Sequence, residues 1–415
     1  MNRRLFLSTT TVAAMAATTG GATAALAAPH RTGTTTGAGT GTGETLRRLL
    51  QAEHDAGMVG VFAEVRDGRR FYELAAGTAE VSTSRPMRPT LRHRVGSITK
   101  TFVATTVLQL VGEGRFRLDS TIGRLLPGVL PAALGRQITV RMLLNHTSGL
   151  GNYTEVVLGS VEALESTRSR TFTPADLIAV ALTLPVTNPP GDGWSYSNTN
   201  YIVLGMLVER LTGHRYGEEI QRRILRPLGM RDSYFPGADP RIRGPHSHAY
   251  VEWLDGTLRD FTTYNMSAAW AAGELISTPQ DLNRFYRALL AGRLLRPSLL
   301  AEMQRTVPFV PDAPELGGYG LGLMRLPMPC GPVWGHDGGT VGHTTVSLHG
   351  GDRQVTLAEN AVSLLPTPEE DPIAEAQFAF IEAALCGPRS VPLDARARGG
   401  AVPRLPRTDA LAFTA

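Results

Sequence analysis

The sequence contains almost no lysine. Lys100 is the only one among 41 basic residues, so the other 40 are arginine. Two cysteines are too few for a four-thiolate zinc site. The arginines are scattered and the net charge is only +4, so no concentrated basic surface for nucleic acid is indicated. No stretch reaches the roughly 18 consecutive apolar residues of a membrane span, and we expect no stable span.

Length and composition predict a large folded protein. The chain has 415 residues, of which 42% are hydrophobic and 19% charged, which excludes a disordered polymer. Because single cores stop growing near roughly 250 to 300 residues, we expect two domains or one domain with a large insert.

The N-terminus has the pattern of an export signal. Arg3 and Arg4 precede a weakly apolar stretch that ends in the small-residue motif Ala25-Leu26-Ala27. We interpret residues 1–27 as a twin-arginine-type signal, with a membrane anchor as the alternative, and expect a secreted protein. A Thr/Gly linker over 28–43 and a disordered tail over 389–415 would flank a hydrolase domain at 44–388.

Export would place the two cysteines in an oxidising compartment. We therefore predict a disulfide between Cys330 and Cys386, with two buried thiols as the alternative.

The order of predicted elements indicates the fold. Strand-like runs at 59–65 and 71–76 are separated by Asp67-Gly68, a hairpin signal. A helical block follows, strands return from 321 to 361, and a helix is predicted at 373–385. We predict an α/β (α+β) fold in which both ends of the chain build one antiparallel sheet flanked by helices, with a mostly helical insert at about 115–270. A cleft should lie between the sheet and the insert.

The first chemical motif is Ser97-Ile98-Thr99-Lys100 at the start of a predicted buried helix. Residues three apart share one helix face, so the lysine amine would lie beside the serine hydroxyl. A partly desolvated lysine can act as a base for a serine nucleophile. A surface lysine near a capping serine is the alternative.

Two further motifs follow in order. Tyr196-Ser197-Asn198 precedes a predicted helix and offers a phenol and an amide, although it could be only a helix cap. His336 begins a short segment, His336-Asp337-Gly338-Gly339, whose glycines would let a substrate backbone approach closely. That segment could also be a strand end with an exposed histidine.

Taken together, the three motifs resemble those of the penicillin-recognising serine hydrolases, which include D-alanyl-D-alanine carboxypeptidases and class C β-lactamases and have a β-lactamase/transpeptidase-like fold. The segments 94–97, 144–150 and 319–323 support the resemblance. It implies that Ser97 is acylated, that Lys100 is its base, and that Tyr196 carries a proton to the leaving group. It also implies that His336 takes the position of the basic residue of the third motif.

The resemblance also implies substrate contacts and an oxyanion hole. Asn198 would hold the substrate amide, and the N–H groups of Ser97 and Gly339 would bind the oxyanion. Further substrate contacts are expected from Gly338, Gly339, Arg325 and Trp270.

The expected activity is that of an exported D-alanyl-D-alanine carboxypeptidase acting on peptidoglycan stem peptides or small acyl substrates. β-Lactams would be covalent inhibitors, and we expect a monomer with no cofactor and no metal. Asp337 stands where the carboxypeptidases usually have threonine, and Met324 where a basic residue helps to bind the substrate carboxylate, although the adjacent Arg325 could substitute. Both departures affect the expected substrate more than the expected type of reaction.

Three alternatives stay open. One is an esterase or β-lactamase-like hydrolase of the same fold, and another is a catalytically silent protein that binds penicillin or cell-wall fragments. A metal site built from His246, His248 and His336, His343 or His349 is disfavoured because no H-E-x-x-H motif is present. No serine has the G-x-S-x-G context of other serine hydrolases.

Overall fold

The computed structural model describes residues 41–365 and 371–387. Among these residues, nine strands form an antiparallel sheet in the order β3-β2-β1-β13-β12-β11-β10-β9-β8. The first three strands come from the N-terminal part of the chain and the other six from the C-terminal part, and they join where β1 pairs with β13. The strands of this sheet are β1 Gly60–Asp67, β2 Arg70–Glu80, β3 Arg85–Pro86, β8 Val307–Pro308, β9 Gly318–Tyr319, β10 Met324–Leu326, β11 Val333–Thr340, β12 His343–Gly350 and β13 Arg353–Glu359.

Two small sheets accompany the main one. Strands β4 (His93–Arg94) and β7 (Ile276–Ser277) pair with each other, while β5 (Tyr250–Glu252) lies between β6 (Leu258–Asp260) and β14 (Ala361–Ser363). The antiparallel sheet built from both chain ends, with helices on both sides, confirms the predicted fold class.

The helices form a layer on each face of the main sheet. They are α1 Thr42–Asp55, α2 Thr99–Gly112, α3 Ile122–Leu125, α4 Ala132–Gln137, α5 Val140–Leu144, α6 Thr154–Val157, α7 Val161–Thr167, α8 Pro174–Ala181, α9 Thr199–Thr212, α10 Tyr216–Ile220, α11 Arg226–Leu228, α12 Pro279–Leu290, α13 Pro297–Met303 and α14 Pro372–Cys386. Helices α1 and α14 pack on the outer face through buried side chains such as Leu50 and Phe380. Helices α2 and α12 belong to the larger inner core, where Phe102 stacks on Phe285 at 3.7 Å between ring centroids.

A polar contact fixes α12 to the inner face of the sheet. Asn283 donates from Nδ2 to Glu64 Oε1 at 3.1 Å on β1, and its Oδ1 accepts from Thr356 Oγ1 at 2.9 Å on β13. These buried bonds join strands from the two chain ends to one helix. Buried polar groups need such partners, so the register of the sheet is tied to the position of α12.

Several predicted boundaries need correction. The linker predicted over 28–43 extends too far, because α1 begins at Thr42. Gly43 lies against the Tyr72 ring, and a Cβ on this glycine would be 3.1 Å from the ring atoms. The helical insert predicted at about 115–270 is not a separate unit, because α2, α12 and α13, which lie outside this range, share its hydrophobic core. It is also not all helical, since strands β5 and β6 lie within the range. The strand predicted from 321 begins only at Met324, because Gly322 has a φ of 74° in the preceding turn.

Other predictions are confirmed. The Asp67-Gly68 hairpin joins β1 and β2, with Gly68 at a φ of 59°. Cys330 and Cys386 form a disulfide, which ties the β10–β11 connection to the end of α14. The predicted export signal and C-terminal tail lie outside the described residues. Within 41–365 and 371–387, no helix has the length and apolarity to cross a membrane.

Candidate active site

Ser97 lies in a tight 3₁₀ turn, Gly96–Ile98, that leads directly into α2. Gly96 has a φ of 56°, and a Cβ on it would lie 2.6 Å from the Gly339 carbonyl oxygen. Only glycine fits this conformation and this close approach. The turn therefore fixes Ser97 against strand β11 at the N-terminus of a buried helix.

Lys100 is one helical turn from Ser97 and is fully buried. Its Nζ lies 2.9 Å from Ser97 Oγ, and it donates to Asn198 Oδ1 and to the Ala272 carbonyl oxygen, each at 2.7 Å. Burial holds the pKa of the Lys100 amine well below its usual value, while the charge of Asp337 partly opposes this shift. A neutral amine has two N–H groups and one lone pair. The two carbonyl acceptors use the N–H groups, so the lone pair is left for the Ser97 hydroxyl.

Tyr196 completes the contacts of the serine. Its hydroxyl donates to Ser97 Oγ at 2.8 Å, and its ring centroid lies 5.0 Å from Lys100 Nζ. The His146 ring packs against that of Tyr196 at 4.3 Å between centroids. Ser97 Oγ thus has an amine on one side and a phenol on the other, which are the two groups that acyl transfer needs for moving protons.

Asn198 is held at the N-terminus of α9 by several bonds. Its Nδ2 donates to Thr154 Oγ1 at 3.1 Å and its backbone N–H donates to Asn152 Oδ1 at 3.0 Å. These contacts orient the Asn198 carbonyl oxygen toward Lys100. The motif is thus more than a helix cap, since no Asn198 side-chain bond caps α9.

Strand β11 supplies the third motif. A Cβ on Gly338 would lie 2.1 Å from the Val95 carbonyl oxygen and 2.8 Å from Ser97 N, whereas a Cβ on Gly339 would meet nothing within 4 Å. The strand therefore packs directly on the Ser97 turn at Gly338 and leaves open space beside Gly339. The backbones of the Ser97 turn and of Gly339 are thus neighbours, and their role as an oxyanion hole stays a prediction.

His336 is buried on β11. Its Nε2 lies 2.8 Å from Tyr319 Oη, and Nδ1 bonds the Asp337 carbonyl oxygen. Tyr319 in turn packs against His146 at 4.7 Å between ring centroids. Ser97, Lys100, Tyr196 and Asn198 form the Ser97 group. The aromatic rings of Tyr319 and His146 thus connect His336 with this group.

Comparison with known proteins agrees with this geometry. The family model described as Beta-lactamase matches residues 44–377. The chain belongs to the beta-lactamase family. This result confirms the resemblance inferred from the three motifs.

The proteins that this chain resembles carry names of different activities. The esterase EstB of Burkholderia gladioli is 37% identical over 198 residues, covering 46% of this chain and 50% of the esterase. Penicillin-binding protein 4* of Bacillus subtilis (strain 168) is 26% identical over 360 residues, covering 82% of this chain and 74% of that protein. A solved structure of a D-stereospecific amidohydrolase from Streptomyces sp. is 40% identical with a TM-score of 0.75, covering 83% of this chain and 99% of that one. The chain is therefore a serine hydrolase of the beta-lactamase fold.

Two of the predicted site residues, Trp270 and Arg325, have no hydrogen bond or ring contact with the Ser97 group in the part of the chain that the structure describes. The Trp270 ring packs against Tyr216 at 4.7 Å between centroids and lies over Gly205 on α9, so its ring contacts do not bring it to Ser97, and its role in binding substrate stays a prediction. A φ of 37° at Trp270 turns the chain so that the ring enters the helical layer. Arg325 is half-buried on β10 opposite Trp334. Among the described residues, no hydrogen bond connects it with the Ser97 group.

Sequence reasoning missed parts of the site. The Ala272 carbonyl is a backbone group, and no sequence signal marks which carbonyl will face the lysine. His146 and Tyr319 lie in segments that supported the resemblance, but nothing in their local spacing assigns them to the site. In the described part of the chain, no three His, Cys, Asp or Glu side chains are grouped to hold a metal ion.

Proposed function

We propose that the protein hydrolyses amide bonds of D-configured substrates through an acyl-enzyme on Ser97. One observation carries the proposal. Ser97 Oγ lies 2.9 Å from a buried lysine amine and 2.8 Å from the Tyr196 hydroxyl, so a proton acceptor and a proton donor flank one nucleophile. The three motifs alone would not distinguish this arrangement from a helix cap and a surface lysine.

In the proposed mechanism Lys100 accepts the Ser97 hydroxyl proton as the oxygen attacks the substrate carbonyl carbon. The carbonyl π electrons move to oxygen, which the N–H groups of Ser97 and Gly339 stabilise. Tyr196 donates a proton to the leaving nitrogen as the C–N bond breaks, and Lys100 restores the proton of Tyr196. Water then attacks the ester, and the reverse proton transfers release the acid and restore Ser97. Asn198 would hold an amide group of the substrate.

The D-configuration is supported by the relatives. The Streptomyces sp. structure at 40% identity is named a D-stereospecific amidohydrolase, and a D-amino acid amidase from Ochrobactrum anthropi is 27% identical with a TM-score of 0.73. Asp337 supports a leaving group without a carboxylate. Its negative charge is close enough to act on Lys100, so it would also repel a substrate carboxylate bound near Lys100. We therefore favour amides over peptides with a free C-terminus.

A D-alanyl-D-alanine carboxypeptidase that trims peptidoglycan stem peptides is the second candidate. The 360-residue alignment with penicillin-binding protein 4* favours it, and Arg325 lies on β10, the strand paired with β11. The same acyl-enzyme mechanism would release D-alanine, and β-lactams would acylate Ser97. An ester substrate would need no carboxylate contact, in agreement with the 37% identity to esterase EstB.

The test measures release of ammonia from D-alanine amide and L-alanine amide, and of D-alanine from a peptide ending in D-Ala-D-Ala. The purified full chain is compared with Ser97→Ala, for which we expect loss of turnover by about 10⁵-fold or more without loss of folding. Ser97-dependent cleavage of the D-amide alone would support the amidohydrolase. Release of D-alanine would favour the carboxypeptidase instead. Absence of both turnover and any penicillin adduct on Ser97 would support a silent binding protein.

We further propose that the protein is exported by a twin-arginine-type signal over residues 1–27. The Cys330–Cys386 disulfide supports an oxidising destination. Replacing Arg3 and Arg4 together by lysine should retain the protein inside cells while preserving charge. Equal amounts of parent and variant protein in the culture medium would contradict this route.

A further inference from the structure

A buried acid lies two residues beyond the backbone carbonyl that holds Lys100. Glu274 is 2% exposed, and its Oε1 accepts a hydrogen bond from the hydroxyl of Tyr216 on α10. The other carboxyl oxygen, Oε2, is buried and has no hydrogen-bond partner in the part of the chain that the structure describes. None of the proton transfers from Ser97 uses this carboxyl group, so a buried titratable side chain beside the site is left without a role.

The segment around this acid holds the nucleophile turn and its lysine at three points. The Ala272 carbonyl oxygen accepts from Lys100 Nζ at 2.7 Å. The Leu275 N–H donates to Thr99 Oγ1 at 3.2 Å, and the Leu275 carbonyl oxygen accepts from the N–H of Val95 at 3.0 Å. A shift of this segment would therefore move the acceptor of the lysine amine and both ends of the nucleophile turn.

Tyr216 fixes the same segment at two positions. Its ring packs edge-on against Trp270 at 4.7 Å between centroids, and its hydroxyl reaches Glu274. Trp270 has a φ of 37°, a conformation that a residue with a side chain keeps only where surrounding contacts impose it. The Glu274 N–H donates to the Trp270 carbonyl oxygen at 3.0 Å and closes the turn between them. The ring and the hydroxyl of one tyrosine thus hold the turn that presents the Ala272 carbonyl.

The groups that face Glu274 favour its neutral form. Burial raises the pKa of Glu274 to about 7, the Tyr216 bond opposes this rise, and the charge of Glu209 on α9 adds to it. Glu209 also accepts from the N–H of Tyr216 at 3.1 Å, and Tyr153 is a second phenol that acts on this tyrosine. From α2, the Lys100 amine reaches the same segment, and burial favours its uncharged form. An ionised Glu274 would keep a buried carboxylate oxygen without a donor, a costly state that movement of the segment toward water relieves.

We propose that Glu274 is a positioning residue for acylation and gives the reaction an alkaline limit. As the neutral acid bound to Tyr216, it keeps the Ala272 carbonyl oxygen on Lys100. Ionisation of this acid releases the segment and slows the attack of Ser97. This inference rests on the proposed function and adds control of the same site by pH.

The first test replaces the acid by its uncharged amide, Glu274→Gln, which can still accept from Tyr216. The measurement is kcat/KM for p-nitrophenyl acetate, which reports the steps through acylation, with Ser97→Ala as the blank. We expect the ratio of the Glu274→Gln value to the wild-type value to rise by about 10-fold between about pH 6 and pH 8, because only the wild-type group ionises. A constant ratio would overturn the inference and leave the proposed function intact. No Ser97-dependent release of p-nitrophenol at any pH would overturn both.

Glu53→Gln is the matched control. Glu53 is also fully buried, and burial raises its pKa, but it lies on α1 at the outer face of the sheet. Relative to wild type, both glutamine variants should gain about 3 °C or more in Tm between about pH 5 and pH 8, because each folded wild-type acid must lose a buried proton. Only Glu274→Gln should change the pH dependence of kcat/KM. The same change in both variants, or no gain in Tm for Glu274→Gln, would overturn the inference.

Tyr216→Phe tests the anchor without changing the acid. It keeps the aromatic ring and removes the hydroxyl, and we expect kcat/KM at about pH 6 to fall by about 10-fold as the segment shifts. Tyr250→Phe removes the hydroxyl of another buried tyrosine, which accepts from the Val81 N–H at 2.8 Å. This control also loses a hydrogen bond, but its kcat/KM should stay within about 2-fold of wild type. Equal kcat/KM values for the two phenylalanine variants would overturn the inference.

Discussion

Two fully buried basic side chains flank Ser97, and their surroundings differ in kind. Arg94 donates to the backbone carbonyl oxygens of Phe261 at 3.1 Å and Thr262 at 2.5 Å, with Pro240 and Tyr264 each at 3.3 Å. Lys100 contacts one backbone carbonyl and two side chains, Ser97 and Asn198. Arg94 thus joins chain segments, whereas Lys100 contacts a group that can react.

Burial affects the protonation of the two groups differently. It lowers the pKa of Arg94 to about 10, so the guanidinium remains charged at neutral pH and its four carbonyl contacts are charge-assisted. It lowers the pKa of Lys100 well below its usual value and favours the neutral amine. Burial alone therefore does not create a base. The type of side chain decides whether desolvation strengthens a structural contact or produces a proton acceptor.

The largest expected effect comes from removing this difference at position 100. Lys100→Arg keeps N–H donors but stays protonated at ordinary pH, so it has no lone pair to accept the Ser97 proton. We expect kcat/KM for a cleaved amide to fall by about 10³-fold, with the folded structure retained in circular dichroism. Lys100→Met serves as the uncharged comparison and should be equally inactive. Retention of more than a tenth of the activity in Lys100→Arg would mean that the amine is not the proton acceptor.

The opposite substitution, Arg94→Lys, should lower the stability of the protein and leave the rate of catalysis unchanged. Arg94→Lys leaves fewer donors for the four carbonyl oxygens, and a buried acceptor without a partner costs about 1 to 3 kcal/mol. We expect the free energy of unfolding in urea to fall by about 2 kcal/mol, with little change in kcat at a temperature where the variant is folded. A large loss of kcat with unchanged stability would contradict a structural role for Arg94.

Per pH unit, the smallest expected effect is on the pH dependence of stability. Because the pKa of Lys100 is lower in the folded state, the unfolded chain binds more protons between the two pKa values. Stability relative to Lys100→Met should then rise with pH in that window, by at most about 1.4 kcal/mol per pH unit. Activity should fall as pH decreases and the amine becomes protonated.

Arg94 provides the contrast in the same measurement. Its pKa of about 10 leaves it charged in both folded and unfolded chains at neutral pH. The stability difference between wild type and Arg94→Met, which has no titrating group at this position, should therefore be flat between about pH 5 and pH 8. A slope for Arg94→Met, or none for Lys100→Met, would break the comparison between the two buried basic side chains.

Much of the fold could be predicted because local patterns agreed with the final structure. The hairpin at Asp67-Gly68, the helix that begins at Thr99 and the last helix that ends at Cys386 all follow from short-range signals. Boundaries set by tertiary contacts were missed. Gly43 continues a helix because the Tyr72 ring packs against it, and the strand at Met324 is shortened by the turn at Gly322.

The site shows the same division. The Ser97–Lys100 spacing predicted their contact, because residues three apart on a helix share a face. The positions of Ala272 and Trp270 could not be predicted, since both depend on how the segment after β6 crosses α2. Trp270 follows that segment into the helical layer, and only the Ala272 carbonyl reaches the lysine.

By itself, the sequence determined the order of chemical groups along the chain: one lysine three residues after a serine, then a tyrosine, an asparagine and a histidine. Local propensities and side-chain chemistry set these features without long-range contacts. Only the tertiary structure decided that the amine loses its water and that two carbonyl oxygens occupy its N–H groups. These properties arise from residues that are far apart in the chain, and packing alone brings them together.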